Sequence, residues 1–415
     1  MTINKSEAVL SGMRVTEVSA FVAAPSGGMT LAQMGAEVIR IDPPRGGLDA
    51  RRWPVLNNDA GRNVSLFWAG LNKHKKSVAI DFTQPEGKAL AQKIITAEGK
   101  DSGMLLTNMP PRGWLDYDEL KSKRHDLIQV TVQGDRLGGS AVDYTLNPRL
   151  GLPYLTGPVD FQGVVNHVLP AWDLVTGQMA ALGILAAERY RTRTGTGQHV
   201  KLPLEDVALA IMSNLGFIAE AEKGIQRARG GNDLFGAFGR DFLTSDGVRV
   251  MVVGLTLKQW KNLVKACGVN EQLVELEKTL AKDFKREGDR YEAREELAAV
   301  FAPAIAQKTF SDVSQLFIDN GVCWGKYQTV QELVESDSAC SLDNPMFSKV
   351  HQPHIGDTLT PSTPLNFASG RESARPAPVL GQHTEEVLLD EVGLDTSEFG
   401  RLIDQGIIAV ASNQS

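Results

Sequence analysis

Apolar positions in the first third of the chain fall into short, nearly continuous runs, MRVTEV, EVIRID, SVAIDF, MLLT and LIQVTVQ, each followed by a loop or a helical repeat. Runs of that length without strict alternation are what strands buried on both faces look like, and strands alternating with helices predict a parallel sheet. Met13 to Pro43 reads as strand, tight loop, helix, strand, the second strand ending on Asp42, which is the opening of a nucleotide-type βαβ unit. SLFWAGLNKHKKS and Pro85 to Ile95 carry helical spacing, and the strand readings end at loops at Asn108 and Gly134. Strand ends that converge on loops are where an open α/β sheet binds its ligand.

Later segments change character. Gly138 to Gly163 is rich in Gly, Pro and polar residues, and after it NHVLPAWDLVTGQMAALGILAAERYRTRTGTGQ predicts one helix rich in small side chains. Gly177, Ala180, Ala181, Gly183, Ala186 and Ala187 leave that helix thin-sided, so another backbone or a ligand could approach closely. HVKLPL reads as a strand and Leu204 to Glu222 as one long apolar helix. DFLTSDGVRVMVVG reads as a hairpin turning at Asp246-Gly247, and Thr256 to Ser336 as mainly helical with Lys and Glu outward. The tail returns to Pro-rich loops and two short helices. The expected organisation is a large α/β, Rossmann-like domain over 1–226, a small α+β domain over 227–336, and a return to the large domain over 337–415, which makes it discontinuous.

Length and composition agree with that division. A chain of 415 residues with 42% apolar content can bury two cores. The net charge of -7 argues against nucleic acid or an anionic membrane as main partner, so an anionic ligand must meet local cations. Those collect at Arg45, Arg51 and Arg52 and at Lys73, Lys75 and Lys76, which as point charges and forks suit phosphate. Three cysteines without paired spacing, Cys267, Cys323 and Cys340, suit a reducing compartment. No long apolar segment opens the chain, and runs such as Val207 to Met212 are too short to span a bilayer, so a soluble cytoplasmic protein is expected. A metal is not expected; the close pair His351 and His354 is interrupted by Pro353 and reads as a surface loop.

The strongest candidate for chemistry is Asp173. Pro170 stops regular structure just before it and helix formers follow, so the sequence predicts an N-cap whose carboxylate faces free N–H groups and stays ionised. Most such acids only cap. A dinucleotide reading of the βαβ opening lacks G-x-G-x-x-G; Pro25, Ser26, Gly27 and Gly28 stand in that place.

Five pieces, VSAFVAAPSGGMTLAQMGAEVIRIDP, NKHKKSVAIDF with PEGK, TNMPPRGWL, AWDLVTGQMAALGILAAERYRTRTGTGQ and LGQHTEEVL, together and in this order resemble the class III CoA-transferases along nearly the whole chain. The resemblance implies that Asp173 is the catalytic aspartate, an oxygen nucleophile passing through an acyl anhydride and an aspartyl-CoA. It also implies an interlocked homodimer, CoA entering as part of the substrate, and no permanently bound cofactor. Matching CoA positions are Val22, Ala23, Ile80, Asp81, Asn108, Met109, Arg112 and Gln133, with Lys76 added from the basic cluster. Val22 replaces the Gln of some relatives, and Pro43 falls where some have Arg. Gly236 and Gly239 match a glycine-rich loop near the aspartate, and the different wording of that loop fits a different acyl substrate. Within the family the resemblance points to intramolecular transfer, with CoA moving between the two carboxyls of one dicarboxylic acyl group. Arg240 and His167 are then candidates to hold the spare carboxylate. Intermolecular transfer between carboxylic acids is the alternative. An α-methylacyl-CoA racemase ranks lower, because its upstream His is replaced by Val142 ahead of Asp143.

Overall fold

The computed structural model describes residues 4, 7–57 and 63–411, which fold into two compact units. The first draws on the ranges 1–150, 168–219 and 338–415, and the second on 151–167 and 220–337. Residues 151–167, which the sequence assigns to the large domain, therefore go with the small one. Arg229 supplies the reason: its guanidinium donates to the backbone carbonyls of Pro153, Tyr154, Phe161 and Gly163 and lies over the Phe161 ring.

The first unit is built on β1 (Arg14–Val18), β2 (Glu37–Asp42), a small hairpin of β3 (Val55–Asn57) and β4 (Asn63–Ser65), β5 (Lys76–Ile80), β6 (Met104–Thr107), β7 (Ile128–Gln133) and β8 (His199–Pro203). Completing it are a later hairpin, described below, and β14 (Ile408–Ala409), which adds to the edge of β5. The large sheet runs β14-β5-β2-β1-β6-β7-β8, parallel throughout except for the antiparallel β14. It is thus the parallel α/β sheet the apolar runs predict, with β14 of the C-terminal tail paired to β5 at its edge. Its two faces are covered as a parallel sheet requires. One core gathers Val18, Ile39, Val78, Ile80 and Leu105 with Leu90 and Ile94 of the helix Pro85–Ile95 and with Val387 and Leu402 of the tail. The other gathers Val15, Val38, Leu106 and Val130 with Leu31 of the helix Ala23–Gln33 and Ile184 of the long helix Ala171–Thr194.

Those last two helices meet backbone to backbone. A Cβ on Gly27 would lie 2.7 Å from the Gly177 carbonyl oxygen, and one on Gly177 would lie 2.6 Å from the Ala23 oxygen. The small residues of the long helix therefore serve the close approach of a second helix. Two other sequence expectations change. The helix expected over Leu204 to Glu222 is two, Leu204–Asn214 and Phe217–Glu222, broken at Gly216 with φ +84. The Gly/Pro-rich stretch after Gly138 hides a helix, Asp143–Arg149.

The second unit carries a three-stranded antiparallel sheet, β9 (Phe238–Leu243), β10 (Arg249–Gly254) and β11 (Cys323–Lys326), with β9 and β10 joined by the expected turn at Gly247. Helices cover it, and Phe238, Trp260, Phe284, Phe301 and Phe317 fill its core. A hairpin of β12 (Phe347–Gln352) and β13 (Gly356–Pro361) belongs to the first unit; His351 lies on β12 and pairs with Asp357, and His354 sits in its turn. Among the described residues no cluster of metal-ligating side chains forms, and no helix is long and apolar enough to cross a membrane.

Candidate active site

All six parallel strands of the large sheet present their C-terminal ends, Val18, Asp42, Ile80, Thr107, Gln133 and Pro203, along one edge. Loops from these ends bring most of the CoA candidates together. Val22 and Ala23 open the helix Ala23–Gln33, whose N-terminus has no side-chain cap and no acid in its first turn, so no side chain satisfies its first N–H groups. Asn108 ties two of the loops: its side-chain oxygen accepts the Ala20 N–H at 3.0 Å while its amide donates to the Ala20 oxygen at 2.7 Å. Met109 donates its N–H to the Thr107 hydroxyl, and Arg112 follows with an exposed side chain. Gln133 ends β7 with a buried Oε1 that has no hydrogen-bond partner among the described residues, an acceptor suited to a ligand donor. Ile80 is fully buried and contributes only its backbone to this edge. The Asp81 carboxylate is occupied locally by the Thr83 N–H and hydroxyl, which hold it below the usual carboxylate range.

Lys76 corrects the sequence reading. It begins β5 and so stands at the opposite, N-terminal end of the sheet, where its ammonium meets Glu37, Glu386 and Glu391 at 2.8–2.9 Å. Lys75 is buried as well, bonded to Glu17, Asn72 and the Pro25 carbonyl, and Lys73 donates to the Gly70 carbonyl. Burial lowers both ammonium groups to about 8. The lysine run is thus mainly internal, while Arg45, Arg51 and Arg52 are exposed.

Glu17, Arg40, Asp42, Asp49 and Lys75 form a buried charge network beneath the edge. Arg40 is its centre, donating also to the Ser19 carbonyl and to Asn72. Sequence reading missed this network, although its signal is present: charges inside RVTEV and EVIRID can only be paired if the strands are buried on both faces. It fixes the loop after β1, because Asp49 also accepts the Phe21 N–H and holds Phe21 at φ +68.

Asp173 stands in the first turn of Ala171–Thr194, but it is not the cap. Pro170 is the N-cap residue, and the Trp172 N–H is taken by the buried Asp143 carboxylate at 2.7 Å. The Trp172 indole donates to Asn147, one turn further along the helix Asp143–Arg149. Capping is thereby delegated, and the Asp173 carboxylate makes no hydrogen bond among the described residues. Its ionisation also differs from the expectation. Burial pushes its carboxyl up to about 6, the Asp143 carboxylate adds to the rise, and the Arg52 guanidinium opposes it. An acid of that strength is still largely ionised at pH 7 while more basic than an ordinary aspartate, which suits an oxygen nucleophile.

CoA-transferase family III matches residues 10–384. The chain belongs to that family. It is 55% identical over 403 residues, 97% of this chain and 98% of the relative, to a 2-methylfumaryl-CoA isomerase of Chloroflexus aurantiacus. A succinyl-CoA–D-citramalate CoA-transferase from the same organism is 28% identical over 96% of this chain and 98% of its own. The fold is that of a CAIB/BAIF family protein from Brucella suis, with TM-score 0.74 and 23% identity over 92% of this chain and 99% of that one.

The remaining expected site residues of this family III chain lie in the second unit. Gly236 takes a turn with φ +80, whereas Gly239 lies within β9, where a side chain would strike Leu234. Arg240 is paired with Asp233 at 3.2 Å and with Glu295 at 2.5 and 3.1 Å. His167 falls in the segment gathered by Arg229.

Proposed function

We propose that this chain is a 2-methylfumaryl(mesaconyl)-CoA isomerase of the class III CoA-transferases, moving CoA from the C1 to the C4 carboxyl of one acyl group. The observation that carries the reading is 55% identity over almost the whole length to the relative of that name. Support comes from an Asp173 that is neither capping nor paired.

The reaction needs only carboxylates and a thiolate. The Asp173 carboxylate attacks the C1 thioester carbon, the carbon–sulfur bond breaks, and an anhydride forms with release of CoA thiolate. The thiolate attacks the aspartyl carbonyl, giving aspartyl-CoA and the free diacid. The C4 carboxylate then attacks aspartyl-CoA, the thiolate leaves again, and it adds to the C4 carbonyl of the new anhydride. Asp173 is regenerated and no net proton moves. CoA lies along the strand ends, with Val22, Ala23, Asn108, Met109, Arg112 and Gln133 beside it. Backbone N–H groups at the helix entry stabilise the tetrahedral oxyanions. Retention of the diacid between the two halves distinguishes isomerisation from intermolecular transfer.

The racemase alternative loses further ground. Beyond the Val142 position, Asp143 is committed to the Trp172 N–H and is no free proton carrier. A homodimer belongs to the same reading: Val168, Leu169, Leu182 and Leu215 of the first unit are exposed apolar side chains that a second copy would cover.

The test is incubation with 2-methylfumaryl-C1-CoA and isotopically labelled free 2-methylfumarate. Unlabelled C4-CoA ester supports the isomerase, whereas label in the ester would mean intermolecular transfer. An Asp173→Ala protein that still turns over would remove the mechanism.

A further inference from the structure

An enzyme that releases a diacid from its nucleophile and must then recapture it by the other end has to grip the carboxyl that is not reacting. Arg240 is already held by two carboxylates of its own unit. Among the described residues the Arg52 guanidinium has no ion pair and no hydrogen bond, and its charge reaches Asp173. The Asp49 carboxylate, three residues away in sequence, is taken by Arg40 and by the Phe21 N–H.

The setting of Arg52 is built rather than incidental. Its N–H donates to the Asp49 carbonyl at 3.1 Å, and its own carbonyl accepts the Ser65 hydroxyl at 2.6 Å. Ser65 in turn caps the helix Leu66–Leu71. The guanidinium lies over the Phe21 ring at 5.7 Å and the Phe67 ring at 5.3 Å. Two aromatic faces hold the planar group, and its N–H donors are bonded to no protein atom among the described residues. A planar fork of N–H donors is the natural partner of a carboxylate, which it binds through two parallel hydrogen bonds.

We infer that Arg52, steadied between Phe21 and Phe67, binds the carboxylate of the substrate that is not bonded to Asp173. This deepens the isomerase reading and rests on it. With C1 on Asp173, C4 sits on Arg52; in the aspartyl-CoA stage the released diacid stays paired to Arg52 and exchanges ends. Arg52 is then what separates dicarboxylic from monocarboxylic acyl groups.

The experiment compares wild type, Arg52→Met and Arg52→Lys on 2-methylfumaryl-CoA and on methacrylyl-CoA, which lacks the second carboxyl. Turnover of the diacid ester is followed by chromatography, and acyl transfer to Asp173 by mass spectrometry of the trapped peptide. Arg52→Met should lose about 100-fold in kcat/KM on the diacid ester. It should admit labelled diacid from solution, change labelling of Asp173 by methacrylyl-CoA less than about 3-fold, and be partly rescued by Arg52→Lys. Equal losses on both esters, or no loss on the diacid ester, would overturn the role of Arg52 while Asp173 still labels. A wild type that labels Asp173 with neither ester would overturn the isomerase reading and this role with it.

Discussion

The Asp143 carboxylate accepts the Trp172 N–H at 2.7 Å, and so it, not Asp173, terminates the long helix. The two acids at this helix start therefore divide the work. Burial makes Asp173 reluctant to ionise; Asp143 satisfies the backbone and by its charge adds to that reluctance, while Arg52 favours ionisation.

That division sets the pH profile. With Asp173 titrating at about 6, kcat/KM should rise with pH through that value and level off above it. Asp143→Asn keeps an acceptor for Trp172 but removes the charge, so the acid limb should move down by about half a unit to one unit. Arg52→Met should move it up. Shifts of the same sign in both variants would contradict the arrangement. Stability follows the opposite sense. The folded-state value lies above the ordinary 3.8, so the folded chain binds the proton more tightly. The stability this supplies is present below pH 4 and lost as pH rises through about 6. Asp173→Asn should therefore abolish transfer yet raise stability at pH 8 by about 1–2 kcal/mol, read by denaturant unfolding.

Asp173 was legible because Pro170 and the helix formers around it are local, and so were the parallel strands. The true cap was not, since Asp143 reaches Trp172 from 29 residues upstream, out of a stretch whose glycines mask its helix. Lys73, Lys75 and Lys76 looked alike as a basic run. Only the sheet register decides that Lys76 faces the N-terminal edge and that Lys75 turns inward to Glu17. Arg40 and Glu17 were legible in principle, as charges inside strands too apolar to be exposed. Arg52 was legible only as one of a basic group, because its two rings come from elsewhere, Phe21 from the loop after β1 and Phe67 from the helix Leu66–Leu71.

Gly177→Ala should separate the two helices that line the edge. The new methyl would press on the Ser26 hydroxyl, which can rotate, and on the Ala23 carbonyl, which is fixed in the backbone. Overpacking of this kind costs about 1–3 kcal/mol. Ala23 opens the helix at the proposed CoA edge, so KM for the CoA ester should rise together with the loss of thermal stability. A variant with unchanged melting and unchanged KM would show that the helices can slide apart freely.

Lys76→Met should leave KM for the CoA ester within about 2-fold of wild type while lowering stability. Removing the ammonium leaves Glu37, Glu386 and Glu391 facing one another at a half-buried site, at a cost of about 1–3 kcal/mol given its partial exposure. Two of those acids lie in the tail, so limited proteolysis of the tail should accelerate. A large rise in KM without loss of stability would restore Lys76 to the CoA site.

Asn108 tests the edge from the side of its scaffold. Its amide makes two bonds of opposite sense to one residue, accepting from the Ala20 N–H and donating to the Ala20 carbonyl. Asn108→Ala leaves both groups of a half-buried backbone unit without those partners, a loss of about 1–3 kcal/mol, and frees the loop that carries Phe21, Val22 and Ala23. KM for the CoA ester should rise more than kcat falls, because Asp173 is held from another element. Asn108→Asp separates geometry from volume. A carboxylate still accepts the Ala20 N–H but sets its second oxygen against the Ala20 carbonyl, whereas a protonated acid can donate there. Binding of CoA by Asn108→Asp, followed calorimetrically, should therefore weaken as pH rises from 5 to 8, while wild-type binding does not follow that trend. Equal pH dependence in the two proteins would mean that the Ala20 pairing does not shape the site.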